Sequence, residues 1–230
     1  MRRVVRALLM AVAGVAAFSL MWVLAYRFVD PPATFLMLRD RWRGTPVDYR
    51  PIDLAAMGRH LPRAVIGAED AHFCYHHGFD LEAMEQAWKR NASGGRLRGG
   101  STISQQTAKN AFLWPGRTLL RKGIEAWFTL WIELLWGKPR IMEAYLNIVE
   151  LGRGIYGVEA AARHYFGKPA AGLSRTEAAR IAAILPQPVK RDAGSPGRYT
   201  RRYASRIEKR ARVVANEGID ACLRAGRSSQ

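Results

Sequence analysis

The sequence predicts an all-α domain carried behind one membrane-spanning helix. Three observations lead there. Ala7–Tyr26 is a run of twenty residues without a charge, the length that crosses a bilayer core. Beyond it, apolar residues recur at helical spacings of three and four, most clearly at Ile124, Phe128, Trp131 and Leu135. No alternation of apolar and polar residues persists beyond a few positions, so the pattern contains no half-buried strand.

Residues 1–30 form the first unit. Arg2, Arg3 and Arg6 precede the apolar run and predict that this end stays in the cytoplasm. Trp22 and Tyr26 stand where an outer interfacial belt would lie. A cleaved signal peptide would have a shorter apolar region, about 7–15 residues, and then a small-x-small site. Tyr26–Asp30 offers no such site, so an uncleaved anchor is expected, with the rest of the chain outside the cytoplasm.

Pro31 and Pro32 stop that helix and open a linker over 31–50, turn-rich with Gly44 and Pro46. The main domain is expected over 51–190. Within it, Asp53–Leu61 reads as a short helix, and Pro62 opens the segment that delivers Glu69. Leu81–Asn91 is helical, and Ala92–Gly100 is a basic, glycine-rich loop with Arg96 and Arg98. Leu119–Trp136 is the strongest helix after the anchor. Gly137–Pro139 breaks it, and Ile141–Val149 starts another. Gly152–Gly157 is a glycine-rich turn. Val158–Phe166 and Ser174–Leu185 are alanine-rich helices whose small faces permit close packing, and Ser174 with Glu177 makes a capping box. Pro186 and Pro188 end the domain. The remainder, 191–230, reads as a basic extension, helical around Tyr199–Asn216. From Val189 onward there are eleven Lys or Arg against four acids, a solvated face that can also attract anionic lipid.

Composition narrows the function classes. The net charge of +17 favours anionic partners: nucleic acid, phospholipid head groups or diphosphates. An anchor that places the basic domain outside the cytoplasm removes nucleic acid from that set. Cys74 and Cys222 make no framework of disulfides or metal ligands and are expected to be single unpaired thiols.

Two stretches carry chemistry. In Ala68–Asp80, AEDAHFCYHHGFD, adjacent Glu69 and Asp70 follow the apolar run Ala64–Ala68. A carboxylate at the end of an apolar segment is costly to desolvate unless paired, and its pKa can rise toward neutrality, which suits a general base or acid. The plainer alternative is a pair of acids that cap and charge a helix end. Gly99–Asn110, GGSTISQQTAKN, combines glycines that allow close backbone approach with hydroxyls, two glutamines, a lysine and an asparagine. Gln105 lies at capping-box spacing from Thr102 and shares a helix face with Lys109. A capped helix accounts for the first half; the density of donors suits a polyoxygenated ligand such as a sugar or diphosphate. Arg121 and Glu125, four apart, read by pattern alone as a solvated surface bridge worth under ~0.5 kcal/mol. Glu143 and Asn147, one turn apart, read as a buried network joining helices.

In this order the stretches resemble the family 51 peptidoglycan glycosyltransferases. The family pattern E-D-x-x-F-x-x-H-x-G is matched by Glu69, Asp70, Phe73, His76 and Gly78. G-G-S-T-[IL]-[TS]-Q-Q-x-x-K-N is matched by Gly99 through Asn110, with Ser104 where threonine is commonest. R-K-x-x-E is matched by Arg121, Lys122 and Glu125, and I-[LM]-E-x-Y-L-N by Ile141, Met142, Glu143, Tyr145, Leu146 and Asn147. The resemblance runs from about Pro32 to Pro188, and the overall size is similar to the monofunctional members rather than to bifunctional penicillin-binding proteins.

The resemblance implies a lysozyme-like fold of two lobes, the smaller facing the membrane. It implies polymerisation of lipid II into β-1,4-linked glycan with inversion and release of undecaprenyl diphosphate. Glu69 would be the general base. Lys109 and Arg121 would stabilise the leaving diphosphate, and Glu125 would position those cations, a divalent metal (magnesium or manganese) or the acceptor. Asp70, Phe73, His76, Gly100, Ser101, Thr102, Gln105, Gln106, Asn110 and Lys122 would complete the substrate site. The implied partners are lipid II, the lipid-linked nascent glycan, membrane lipids and cell-wall synthesis or division proteins, with the chain in the inner membrane as a single-pass protein. The rival classes are a membrane-anchored muramidase or lytic transglycosylase of the same fold, and a non-enzymatic basic scaffold. The cationic set argues against the first, and the clustering of Glu69, Ser101, Lys109 and Arg121 against the second.

Overall fold

The computed structural model describes residues 1–92, 100–116 and 118–224, and the side chains of these apart from 90–92. The predicted basic loop, with Arg96, Arg98 and the first motif glycine Gly99, lies outside the described residues. The helices are α1 (Arg2–Phe28), α2 (Phe35–Trp42), α3 (His60–Glu69), α4 (Leu81–Ala92), α5 (Ile103–Phe112), α6 (Leu119–Leu135), α7 (Lys138–Ile148), α8 (Val158–Phe166), α9 (Arg175–Ile184) and α10 (Arg198–Asn216). The fold is therefore all-α, as expected, with one addition. Three strands, β1 (Asp48–Tyr49), β2 (Glu150–Gly152) and β3 (Ile155–Tyr156), form a small sheet in the order β1-β3-β2, with β1 parallel and β2 antiparallel to β3. Segments of two or three residues are too short to show a two-residue period, which is why the pattern does not reveal them.

Several boundaries follow from local chemistry. Thr102 and Gln105 close a capping box on α5, and Ser174 and Glu177 close one on α9. Gly137, at φ 75°, separates α6 from α7, whose first turn holds Pro139 where a missing N–H costs nothing. The short helix expected over Asp53–Leu61 is divided. A 3-10 turn covers Leu54–Met57, Gly58 takes φ 70°, and α3 starts at His60, so Pro62 falls in its first turn. Gly58 tolerates this left-handed geometry because it has no Cβ.

Helices α3, α9 and α10 pack as one group, while α5 packs on both α6 and α7 and α1 lies along α6. Helix α7 is buried between them, with Ile141, Met142, Tyr145 and Leu146 fully enclosed in one continuous apolar core. The expected structural role of its polar residues holds. Asn147 accepts the Ile52 N–H at 3.1 Å and donates to the Ile52 carbonyl at 3.0 Å, and Glu143 accepts the Leu54 N–H at 2.7 Å.

Helix α1 is long and apolar enough to cross a membrane, yet its last turns also belong to the core. Val23 is fully buried, and Trp22 and Tyr26 pack on Phe112 with ring centroids 5.4 and 5.6 Å away. Trp136 donates to the Val23 carbonyl at 2.8 Å. The Arg140 guanidinium donates to the carbonyls of Tyr26 and Val29, each at 2.8 Å, and so satisfies acceptors at the helix end that have no partner within the helix. Helix α10 is basic on its outer side, but Ala204, Ile207 and Val214 are buried against α3 and α9.

The cysteines correct the expectation of unpaired thiols. Cys74 and Cys222, 148 residues apart, are joined as a disulfide with Cα atoms 5.5 Å apart. The chain after α10 returns as a 3-10 turn over Ala221–Leu223 to meet the loop that follows α3. Nothing local in the sequence signals so distant a pairing.

Candidate active site

Helix α3 ends at Glu69 because Asp70 leaves helical geometry, at φ −157° and ψ 81°. Asp70 then clamps two motifs together. Its Oδ2 accepts the N–H of Ile103, the first residue of α5, at 2.9 Å, where the helix dipole favours a carboxylate. Both its oxygens also face His76 Nε2, at 2.9 and 3.1 Å. His76 Nδ1 accepts the Gly78 N–H at 3.1 Å. Since Nδ1 is an acceptor, Nε2 carries the proton and donates to Asp70. The Thr102 hydroxyl donates to the Gly78 carbonyl at 2.6 Å, closing the clamp a second time. Gly78 sits at φ 94°, and a Cβ there would fall 2.9 Å from Thr129 of α6, so this motif glycine is required by both geometry and space.

Beside this clamp opens a cavity of about 470 Å³. Ser101, Gln105, Gln106, Lys109 and Asn110 form one wall, Arg121, Lys122 and Glu125 the next, and Thr34, Leu36, Glu150 and Pro188 lie around the remainder. The structure thus brings eight of the expected site residues to one cavity. Gln105 is partly committed, since its Oε1 accepts the Thr102 N–H at 3.0 Å. Asp70, Phe73, His76 and Thr102 do not line the cavity: their polar atoms are engaged within the protein, and Phe73 is fully buried with the Lys138 ammonium 4.6 Å above its ring. Gly100 packs against Met84 of α4 instead. These five hold the wall in place from behind.

Glu69 reaches the cavity wall through Gln106, whose Nε2–H donates to its carboxylate at 3.0 Å. Burial raises the Glu69 carboxyl above the usual carboxylate range, against the opposing pull of the Gln106 hydrogen bond and the Lys109 charge. Burial likewise pushes the Lys109 ammonium down; Glu125 and Glu69 oppose the fall, while Arg121 and Lys122 add to it. Arg121 donates to Glu125 at 3.2 Å, and Lys122 bonds the other Glu125 oxygen. Arg121 and Glu125 are only 7% and 3% exposed, so the surface bridge suggested by spacing alone is instead a buried pair. Arg121 Nε is buried without a hydrogen-bond partner among the described residues. Leaving such a donor unpaired costs roughly 1–3 kcal/mol, and an anion entering the cavity offers it an acceptor.

One residue of this network carried no assigned role in the sequence. Tyr145 belongs to the fourth motif, and its hydroxyl donates to Gln106 Oε1 at 3.2 Å. Helix geometry supplies the missing signal: with about 100° per residue, position 145 faces away from Glu143 and Asn147. Those two hold residues 52–54, so Tyr145 faces α5.

Comparison with known proteins agrees with this arrangement. The family model described as Transglycosylase matches residues 40–217. The chain is similar to the biosynthetic peptidoglycan transglycosylase of Caulobacter vibrioides, 50% identical over 223 residues that cover 96% of this chain and 97% of the other. The protein of the same name from Rhodospirillum centenum is 50% identical over 222 residues, with 96% of each chain covered. That from Xanthomonas campestris is 48% identical over 224 residues, 94% of this chain and 91% of the other. An all-α enzyme domain behind an apolar N-terminal helix is the class these features define. The chain belongs to the transglycosylase family.

Proposed function

We propose that this chain polymerises peptidoglycan glycan strands from lipid II at the outer face of the membrane. One observation carries the reading: a carboxylate kept less acidic by burial, Glu69, is joined through Gln106 to a cavity that Lys109, Arg121 and Lys122 also line. In the reaction, the acceptor sugar's C4 hydroxyl gives its proton to Glu69 as its oxygen attacks C1 of the donor sugar. The bond from C1 to the diphosphate breaks, and the electron pair leaves with the diphosphate. Lys109 and Arg121 stabilise that growing anion, and Arg121 does so as a planar fork. Glu125 holds Arg121 and Lys122 in place. Attack opposite an axial diphosphate inverts C1 and yields the β-1,4 bond.

The donor set fits a divalent cation poorly. Glu125 is already bonded by Arg121 and Lys122, so its oxygens are committed to the chain's own cations. The chain's own cations carry the leaving-group role. Two features support an inside-to-outside orientation: Arg2, Arg3 and Arg6 flank the start of the apolar helix, and the Cys74–Cys222 disulfide belongs to an oxidising compartment.

The test is full-length protein in detergent or liposomes with labelled lipid II, with and without a chelator. Glycan polymer in both arms is expected. Absence of polymer, together with muropeptides released from purified peptidoglycan, would mean a hydrolase of the same fold.

A further inference from the structure

Tyr145 is a fully buried phenol in α7 that touches no part of the cavity, and its hydroxyl is spent on one group, Gln106. Gln106 is spent on both sides: its Oε1 accepts from Tyr145 at 3.2 Å, and its Nε2–H donates to Glu69 at 3.0 Å. A side-chain amide has one acceptor end and one donor end. Which end meets Glu69 is therefore decided by what holds the other end. A phenol O–H that donates to Oε1 turns the N–H toward Glu69, where it suits an ionised carboxylate. A reversed amide would place a carbonyl against that carboxylate, an arrangement acceptable only if Glu69 carries a proton.

We propose that Tyr145 is a positioning residue for Glu69 and acts through Gln106, its hydroxyl fixing the amide so that Glu69 is presented as the ionised acceptor of a proton. This rests on the reading of Glu69 as the base. The relay also gives the proton a consistent arrangement once Glu69 receives it. The amide reverses, the Glu69 O–H donates to Oε1, and the Nε2–H donates to the Tyr145 oxygen, since a phenol both donates and accepts. In that reversed state the buried Tyr145 O–H gives up its acceptor, so the arrangement with Glu69 ionised, in which that hydrogen is paired, is the better satisfied of the two. The other charged or titratable groups that face Glu69 are Asp70 beside it, Lys109 of α5, Arg191 after α9 and Tyr203 of α10. None of them is altered by changing Tyr145.

The experiment follows Glu69 in full-length protein by two readouts. One is the pH dependence of kcat/KM for lipid II polymerisation. The other is the infrared carboxyl C=O band that a Glu69→Gln control removes. Tyr145→Phe keeps the ring and loses the donor, so the carboxyl midpoint and the acidic limb of the profile should both move up by about one pH unit, the size expected for a hydrogen bond lost from a charged group's network. KM on the plateau should stay near the wild-type value. In a Gln106→Ala background, adding Tyr145→Phe should shift the midpoint no further, because the intermediary is gone. Placing 3-fluorotyrosine at position 145 keeps the shape and strengthens the donor, and should move the midpoint down. An unmoved midpoint in Tyr145→Phe, or an equal shift persisting without Gln106, overturns the proposal. If the wild type makes no glycan while the infrared midpoint still responds, the relay stands and the polymerase reading falls.

Discussion

At the start of α6, Arg121 and Lys122 close on a single carboxylate, Glu125, and the Arg121 side chain is 9% exposed. Along α10, Arg198, Arg201, Arg202, Arg206, Lys209, Arg210 and Arg212 all stand on the surface, and the Arg212–Glu208 bridge leaves the Arg212 side chain 59% exposed. Both regions carry an arginine paired with a glutamate four residues away, and spacing alone does not tell the two pairs apart. The difference lies in the solvent. Water and salt screen the charges of α10, so each contributes little by itself. Arg121 is held where screening is weak, and its partner carboxylate, Glu125, is shared with the more exposed Lys122. Arg121 therefore retains field to offer an entering anion. What matters is where a charge is held, more than how many charges there are.

The largest effect is expected at the cavity. Lys109→Ala and Arg121→Ala should each cost roughly 3–4 kcal/mol of transition-state stabilisation, seen as a fall of two to three orders of magnitude in lipid II turnover. Arg121→Lys should recover only part of the rate, because it keeps the charge and loses the planar fork. If all three variants turn over normally, the cavity is not the leaving-group site.

A smaller effect, on stability instead of rate, is expected where α10 is tied down. Reduction of Cys74–Cys222, or Cys222→Ser, should lower stability by about 2–4 kcal/mol by releasing the chain end from the loop after α3. Thermal denaturation with and without reductant measures this. An unchanged melting temperature would mean that α10 is held by its apolar face alone.

The smallest effect sharpens the contrast. Arg212→Ala should change stability by under ~1 kcal/mol after screening and leave turnover unchanged. A loss of turnover comparable to that of Arg121→Ala would give α10 a direct part in substrate handling and end the distinction drawn here.

Much of this fold was legible because its signals are local. The capping boxes at Thr102 and Ser174 fall where their spacing places them, and α8 covers Val158–Phe166 as its pattern predicts. The cluster of Ser101, Gln106, Lys109, Asn110 and the Arg121–Glu125 pair was visible as motifs, and the structure gathers them at one cavity. Tertiary features were hidden. The apolar helix α1 gives no hint in its pattern that Trp22, Val23 and Tyr26 face protein while the start faces outward, because both faces are apolar. Asp70, His76 and Thr102 look like ligand donors until their partners are known; only the fold shows that Ile103 and Gly78 have taken them. The disulfide and the Tyr145 relay join residues too distant in the chain for spacing to connect.

The central claim is that Glu69 is the base, and Glu69→Gln tests it most directly, with polymerisation and melting temperature measured on the same full-length protein. Loss of the base should reduce glycan synthesis by ~10²–10⁴-fold. Stability should move the other way. Burial raises the carboxyl's pKa in the folded state, so its ionised form opposes folding at neutral pH, and that penalty grows as pH rises from the ordinary glutamate range through the raised value. Removing the charge should therefore raise the melting temperature at neutral pH. The gain should vanish at acid pH, where the carboxyl is protonated in both folded and unfolded chains. An inactive but more stable Glu69→Gln protein is the predicted result, and wild-type glycan synthesis by that protein would contradict the account.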